Sequence, residues 1–353
     1  MNDRPHILVV GAGIVGAAIA WHLARDGARV TLVEAGEPGG VATRRSLAWI
    51  NAGWGAPEPY VRLRVHAMAE WRRLAGEVPS IRVAWTGGLL WDQPPDRLRA
   101  WAARHAAWGC AARLVDRAEA ARLEPALASP PQLAVHAPGE GAVEPLATAL
   151  ALLADARRMG VGIVTGRPAL ALGRQAGRVV GIETATGALA ADLVVLAAGA
   201  GTAALAAGAG LTLPVADPPA LLLATRPCAP LLNGLVLAPA LHLRQDGCGR
   251  LVASAGFDGR SDLETAGRRL LDDLRRLLRG GAPEPEQVVL GRRPIPLDGL
   301  PIVGPAPGIA GLYVAVLHSG VTLAPAIGRL VAEEIRTGRR DPLLAPCEPS
   351  RIA

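Results

Sequence analysis

The sequence predicts an α/β fold built around a dinucleotide-binding βαβ unit, and three observations carry that reading. Residues 7–34 run from a short apolar stretch, Ile7-Leu8-Val9-Val10, straight into Gly11-Ala12-Gly13-Ile14-Val15-Gly16, then an Ala-rich helical pattern, a second apolar run and Glu34. Farther on, Leu193-Val194-Val195-Leu196 is apolar throughout and ends in Ala197-Ala198-Gly199-Ala200-Gly201, the pattern of a buried parallel strand meeting a nucleotide. The chain has 353 residues, enough for two domains or for one large domain with an inserted lobe.

Each part of the first unit has a physical task. Gly11 permits a tight turn, Gly13 lets backbone come close to a pyrophosphate, and Gly16 lets the helix sit near the sheet. The helix N-terminus offers unpaired N–H groups and partial positive charge. Glu34 follows at the end of the second strand, where a carboxylate accepts the hydroxyls of an adenosine ribose. The motif by itself leaves NAD and FAD both open.

After Glu34, a Gly-rich turn at 36–40 leads into Val41-Ala42-Thr43-Arg44-Arg45-Ser46. The spacing of Val61, Val65, Met68 and Leu74 predicts a helix over 60–75. Residues 81–92 alternate like a strand, and helical patterns cover 95–108 and 117–123, with Pro125 closing the second. Pro130-Pro131 opens an extended stretch. Pro145 starts a helix that stops at Gly160, since proline suits a first helical turn. Strands are expected at 161–165, 178–184 and 193–197, then near 235–245 and 250–254. The proline-rich segment 214–230 between them receives no element. Ser261-x-x-Glu264 reads as a capping box opening an amphipathic helix with Leu263, Leu270, Leu274 and Leu277 on one face. A strand at 312–317 and a last helix from about 322 to 337, closed by Gly338, complete the chain.

Composition excludes several classes. The formal charge is +6, and all 37 basic residues are arginine. They are scattered. Pairs such as Arg72-Arg73, Arg275-Arg276 and Arg339-Arg340 read as solvated helix faces. No basic stripe interleaved with aromatics appears, so no nucleic-acid partner is expected. A mild positive field favours an anionic small molecule. Cys110, Cys228, Cys248 and Cys347 lie far apart with no C-x-x-C pair, so no metal site is expected and free thiols in a reducing compartment are. Residues 1–6 lack an apolar leader, and the apolar region 193–223 is broken by glycines and prolines. Neither a secretion signal nor a membrane span is expected, and a cytoplasmic protein is.

Three blocks carry a resemblance. The first is the βαβ unit with Thr43-Arg44-Arg45-Ser46 behind it. The second is Gly139-Glu140-Gly141-Ala142-Val143-Glu144-Pro145 with the 193–201 strand. The third is Arg293-Pro294, Asp298-Gly299-Leu300-Pro301-Ile302-Val303-Gly304, Leu312-Tyr313-Val314-Ala315 and His318-Ser319-Gly320-Val321-Thr322-Leu323-Ala324-Pro325. In this order, over nearly the whole chain, they resemble the D-amino-acid oxidase family of FAD-dependent oxidoreductases. The resemblance implies a Rossmann-like FAD-binding domain of glutathione-reductase type assembled from 1–80, 138–213 and 288–353. It also implies an α+β substrate domain with a mainly antiparallel sheet from 81–137 and 214–287.

On that resemblance Gly11, Gly13 and Gly16 hold the pyrophosphate, Glu34 the ribose, and Thr43 and Arg45 the phosphates again, with Ile14, Val15, Ala35, Arg44 and Ser46 as further cofactor-binding candidates. Gly199 borders the adenine side, and Gly320, Val321 and Thr322 meet the isoalloxazine ring, with His318 and Ser319 as further cofactor-binding candidates. Some relatives tether the flavin through His or Cys. This chain has Arg44, Arg45 and Ser46 in the N-terminal tether region and no Cys near Gly320, so the FAD is expected to be non-covalent. Trp49, Asn51 and Trp54 replace the small residues common after this motif.

The implied reaction takes a hydride from a carbon bearing an amine to flavin N5, giving an imine that water hydrolyses, with oxygen or a quinone as acceptor. Arg293 is expected to grip a substrate carboxylate. His318 is the second catalytic candidate, reaching the ring or the amine. Trp49 and Trp54 are candidate walls of the substrate site, and His242 and Arg244 a candidate roof. Arg64 and His66 on the early helix are further candidates. Two other readings stay open: oxidation of a 2-hydroxy acid, which Arg293 would hold equally well, and a flavin-binding subunit active only in a hetero-complex. A homo-oligomer is also open.

Overall fold

The computed structural model describes residues 4–352. Its first layer is a six-stranded sheet in the order Ile302–Pro305, Leu312–Val316, Leu193–Leu196, His6–Val10, Arg29–Val33, Gly162–Val164. Every neighbouring pair is parallel except the first. The inner strands are apolar on both faces because helices or loops cover both, so they read as unbroken runs without alternation. His6–Val10 lies between Arg29–Val33 and Leu193–Leu196, which enter from opposite sides. The crevice outside the carboxyl ends of these strands is where such a sheet binds ligands.

Two helices against this sheet decide the site. Ile14–Arg25 packs along the closing helix Gly320–Thr337, with Ile19, Leu23, Leu323, Ile327 and Leu330 in one buried cluster. They touch so closely that a Cβ on Gly328 would lie 2.8 Å from the Ala18 carbonyl oxygen. Gly338 ends the closing helix in the left-handed region, φ +68°. The C-terminal segment thus returns to the first βαβ unit.

The second layer is an eight-stranded sheet, antiparallel except where Leu235–Leu237 runs parallel to Gly88–Leu90. Helix Leu263–Leu277 covers one face, packing Leu270, Leu271 and Leu274 on Leu221, Leu223, Leu243 and Leu251. A three-stranded sheet of Trp49–Ile50, Gly141–Val143 and Val83–Ala84 stands beside it.

Several expectations change in detail. The segment 214–230 contains the nine-residue strand Pro219–Pro227. Its prolines stand only at the ends, opposite Arg292 and Arg250, so the ladder between them keeps its donors. Ala171–Gln175 is a further strand, paired with Arg178–Glu183. The helix after 261 is capped by Asp262, whose carboxylate accepts from Thr265 N at 2.7 Å, and not by Ser261. Strand Pro285–Arg292 runs through residue 288 and belongs wholly to the larger sheet.

Gly208 offers a plain test of local propensity. It ends helix Thr202–Gly208, a Cβ added there would meet no atom within 4 Å, and its φ is not positive. Gly208→Ala is expected to add about 0.5–1 kcal/mol to unfolding free energy in urea titrations, because alanine restricts the unfolded chain. A loss of stability would contradict the placement.

Candidate active site

The glycine turn is shaped by close approach. Gly11 has φ +108°, and a Cβ there would stand 2.5 Å from the Ala197 carbonyl oxygen, at the end of the neighbouring parallel strand. A Cβ on Gly16 would stand 1.9 Å from the Gly11 carbonyl oxygen. Gly13 is the N-cap of Ile14–Arg25 and has only Thr43 Oγ1, at 3.4 Å, near its missing Cβ. Ile14 N donates to Thr43 Oγ1 at 3.0 Å. The N–H groups of Val15 and Gly16 find no acceptor among the described residues, and the first turn holds no acid. A bare, positively polarised helix end beside a glycine backbone suits a pyrophosphate. Glu34 accepts Ala12 N at 2.7 Å and Gly36 N at 3.0 Å, which fixes its carboxylate at the strand end. Two further lone pairs stay available for ribose hydroxyls. Ala35 is exposed beside it, and Gly199 (φ +58°) opens the turn after Leu193–Leu196. These residues fit an FAD nucleotide.

Their neighbours divide. Arg44 is turned to Glu37 at 3.1 Å and to Pro38 O at 2.6 Å. Arg45 reaches Leu290 O, at 2.9 Å, on the large sheet. Ser46 Oγ accepts from Ala48 N at 3.0 Å, where Ala48 holds φ +60°.

The closing helix begins beside the opening one: a Cβ on Gly320 would lie 3.1 Å from Val15 Cγ2. Its N-cap, Ser319, makes no side-chain cap, the first turn has no acid, and Leu323 N is the first to bond back, to Ser319 O. The N–H groups of Gly320, Val321 and Thr322 therefore point out unpaired among the described residues. Trp71 Nε1 donates to the Val321 and Thr322 carbonyl oxygens at 3.1 and 3.0 Å, and Thr322 Oγ1 donates to Trp49 O at 3.1 Å. Buried Arg64, on helix Glu58–Glu77, donates to Asn51 O, Tyr60 Oη and Ser319 Oγ. His66, on the same helix, faces Arg329 and Glu70 instead.

Arg292 and Arg293 separate cleanly. Arg292 pairs with Asp217 at 2.6 Å on the surface. Arg293 is exposed as a residue but has no hydrogen bond or ion pair among the described residues, and partial burial of its guanidinium lowers its pKa from the usual value. It stands close enough to His318 for its charge to be felt there. Desolvation first, then Arg293 and Arg64, hold the His318 imidazole down at about 4, so it is neutral at physiological pH. Arg293 and Arg64 thus bring positive charge to His318, and among the described residues no carboxylate pairs with Arg293.

Trp49 and Trp54 both end on a carboxylate that sequence reasoning missed. Their indole N–H groups donate to the buried Glu140, each at 2.9 Å. Trp54 stacks on His105 with ring centroids 4.1 Å apart, and Trp49 meets His242 edge-on at 6.2 Å. His242 pairs with Asp92 at 3.0 Å. Arg244 is committed to Glu144, through two bonds of 2.7 and 3.1 Å, and to Leu47 O at 2.7 Å. It joins the large sheet to the start of helix Pro145–Arg158, and its guanidinium is already neutralised. Among the described residues no cluster of His, Cys, Asp and Glu could hold a metal ion, and no helix is long and apolar enough to cross a membrane.

His105 yields a further expectation. It is 1% exposed, both ring nitrogens lack a partner among the described residues, and burial holds its pKa at about 4, below the ordinary 6.5. The native state then binds fewer protons than the unfolded one, so stability is lost as pH falls from 6.5 toward 4. His105→Phe keeps the stacking and removes this loss. In urea titrations it should gain on the wild type by up to about 1.4 kcal/mol per pH unit below 6.5. A constant difference across that range would contradict it.

Residues 6–334 match the family described as FAD dependent oxidoreductase, DAO. A glycine oxidase of Pseudomonas aeruginosa is 31% identical, the alignment covering 98% of each chain. The crystal structure of glycine oxidase from Geobacillus kaustophilus superposes with a TM-score of 0.88 at 27% identity, over 99% of both chains. Iminodiacetate oxidase from Chelativorans sp. BNC1 superposes with a TM-score of 0.82 at 25% identity, over 97% of this chain and 99% of that one.

Proposed function

The chain belongs to the DAO family of FAD-dependent oxidoreductases, and on that premise we propose that it oxidises a small amino acid, such as glycine or its N-methyl derivative, at the carbon bearing nitrogen. The observation that carries this reading is the unpaired Arg293 guanidinium beside a neutral His318. Similarity to glycine oxidases over the full chain supports the choice of an amine over a 2-hydroxy acid.

Gly11, Gly13, Val15, Gly16, Glu34 and Thr43 would hold the nucleotide, and the Gly320–Thr337 helix end the ring, by non-covalent contacts. Bound FAD would supply the acceptor for a hydride from the amine-bearing carbon, after which the imine meets water. Arg293 binds the substrate carboxylate through two parallel N–H bonds and so fixes its orientation. The positive charges of Arg293 and Arg64 favour the neutral amine over ammonium, the form able to give up hydride. His318, held uncharged, accepts a hydrogen bond from that amine without adding a repelling charge. The unpaired N–H groups of Gly320, Val321 and Thr322 stabilise negative charge arriving at the helix end. Four free cysteines suit a reducing cytoplasm.

Anaerobic mixing with glycine, sarcosine, D- and L-amino acids and 2-hydroxy acids tests the reading. Bleaching of the flavin by a small amino acid, with release of ammonia or an amine, is expected. Bleaching by hydroxy acids alone would transfer the site to that chemistry, and bleaching by none would end the proposal.

A further inference from the structure

Glu140 stands between two glycines at the start of strand Gly141–Val143, and its side chain is sealed from solvent. Its carboxylate accepts three N–H bonds, each of 2.9 Å: Trp49 Nε1 on one oxygen, Ala52 N and Trp54 Nε1 on the other. No cation pairs with it among the described residues; Arg64 acts on it only at longer range. A buried carboxylate without an ion pair is costly to keep. What it offers here is acceptors alone. An amide in its place would turn an NH2 toward a third N–H, and a protonated carboxyl would do the same with its O–H.

The three donors belong to one short segment, 49–54, which is wrapped on Arg64 from its other side. Asn51 O and Asn51 Oδ1 both accept from Arg64, and a Cβ on Gly53, where φ is +83°, would stand 2.5 Å from Arg64 Cδ. Arg64 in turn reaches Ser319, next to His318 and at the head of the closing helix. Thr322 Oγ1 donates to Trp49 O, so the same segment touches that helix a second time.

We propose that Glu140 is a positioning residue of the active site, whose carboxylate fixes the indoles of Trp49 and Trp54 and the backbone of Ala52, and through them the Asn51–Arg64–Ser319 chain at the flavin end of the closing helix. Its kinetic consequence rests on the amino-acid oxidase reading; its effect on the two indoles does not. Desolvation pushes the Glu140 carboxyl up to about 7 against the pull of its three donors. Protonation near neutrality therefore sets an O–H against one of the three donors and loosens the hold on the segment that carries both indoles. The charged or titratable groups around this cluster are Arg64, with Tyr60 and His318 beyond it, Arg72 at the Gly139 carbonyl, His105 on Trp54, Cys110, and the His242–Asp92 pair on Trp49.

The experiment combines the indole signal with kinetics on the flavin-loaded protein. Intrinsic tryptophan emission and near-ultraviolet dichroism of the wild type should show a step with a midpoint near pH 7. Glu140→Gln should abolish the step, keep the flavin content and lower kcat/KM at least tenfold. In a Trp49→Phe/Trp54→Phe background, which deletes both indole donors and keeps apolar rings, the same change should cost less than about twofold, since the pair is coupled. A step that survives in Glu140→Gln belongs to another group, His242 first, and overturns the assignment. So does a Glu140→Gln cost that is equal in both backgrounds. If Glu140→Gln does not fold, Trp49→Phe and Trp54→Phe singly decide the matter. Each removes one donor from the carboxylate and should raise the midpoint, and an unmoved midpoint overturns the proposal. If no amino acid reduces the wild-type flavin, the functional reading fails while the emission step still tests Glu140.

Discussion

Arg293→Ala should leave the protein yellow and raise KM for its amino acid at least about thirtyfold. Among the described residues its side chain makes no hydrogen bond to the glycine turn, so flavin content is expected to stay at the wild-type level. Its guanidinium is partly desolvated and has no partner among the described residues, so a substrate carboxylate is the counter-charge it lacks. Truncating one member of a desolvated, hydrogen-bonded charge pair costs about 2–5 kcal/mol, which is roughly thirtyfold to several thousandfold in affinity. Arg293→Lys should recover only part of this, because a lysine offers a point charge where the carboxylate needs a fork. Arg292 is the internal control. Its pair with Asp217 is exposed, and such pairs are worth about 0–1 kcal/mol, so Arg292→Ala should change KM less than about threefold. An Arg293→Ala variant with wild-type KM, or an Arg292→Ala variant that carries the defect, would contradict the assignment.

Gly11→Ala should abolish FAD binding or folding. Two penalties add at this position. The residue holds φ +108°, which a side chain adopts only with strain of about 1–3 kcal/mol. The added Cβ would meet Ala197 O at 2.5 Å, Ala197 C at 2.8 Å and Ala198 Cα at 3.0 Å, all of them backbone. Backbone inside a parallel sheet cannot swing aside as a long side chain can, so overpacking contributes about another 1–3 kcal/mol. Relief requires the turn to part from Leu193–Leu196, which moves Glu34 and the helix end away from any shared ligand. The measurements are flavin content and thermal stability of Gly11→Ala, with Gly208→Ala prepared alongside. Full flavin content at wild-type stability in Gly11→Ala would refute the role given to this turn.

The six-stranded sheet was legible because physics made it so. Strands covered on both faces, such as Leu193–Leu196 and Leu312–Val316, appear as continuous apolar runs, and glycines mark where backbone must approach backbone. Pro219–Pro227 was not legible, since its prolines mark the strand ends and conceal an apolar interior. The site follows the same division. Gly11 to Gly16 form the strand-to-helix turn that their local spacing predicts. Which of two adjacent arginines is unpaired depends on Asp217, 75 residues away, and no local pattern encodes it. Glu140 meets its donors across 86 to 91 residues, so nothing in its neighbourhood marks it beyond its place in the Gly139-to-Pro145 block. Arg64 reads as an ordinary helix-face arginine until Asn51 and Ser319 close around it.

Flavin stoichiometry of the folded chain tests the central claim most directly. The opening glycine turn and the closing helix lie against each other, Val15 beside Gly320, and should grip one FAD between them. Purified protein soaked with FAD and desalted should carry one flavin per chain and release it into the supernatant on acid or heat denaturation. Folded protein that stays colourless after the soak would contradict the account.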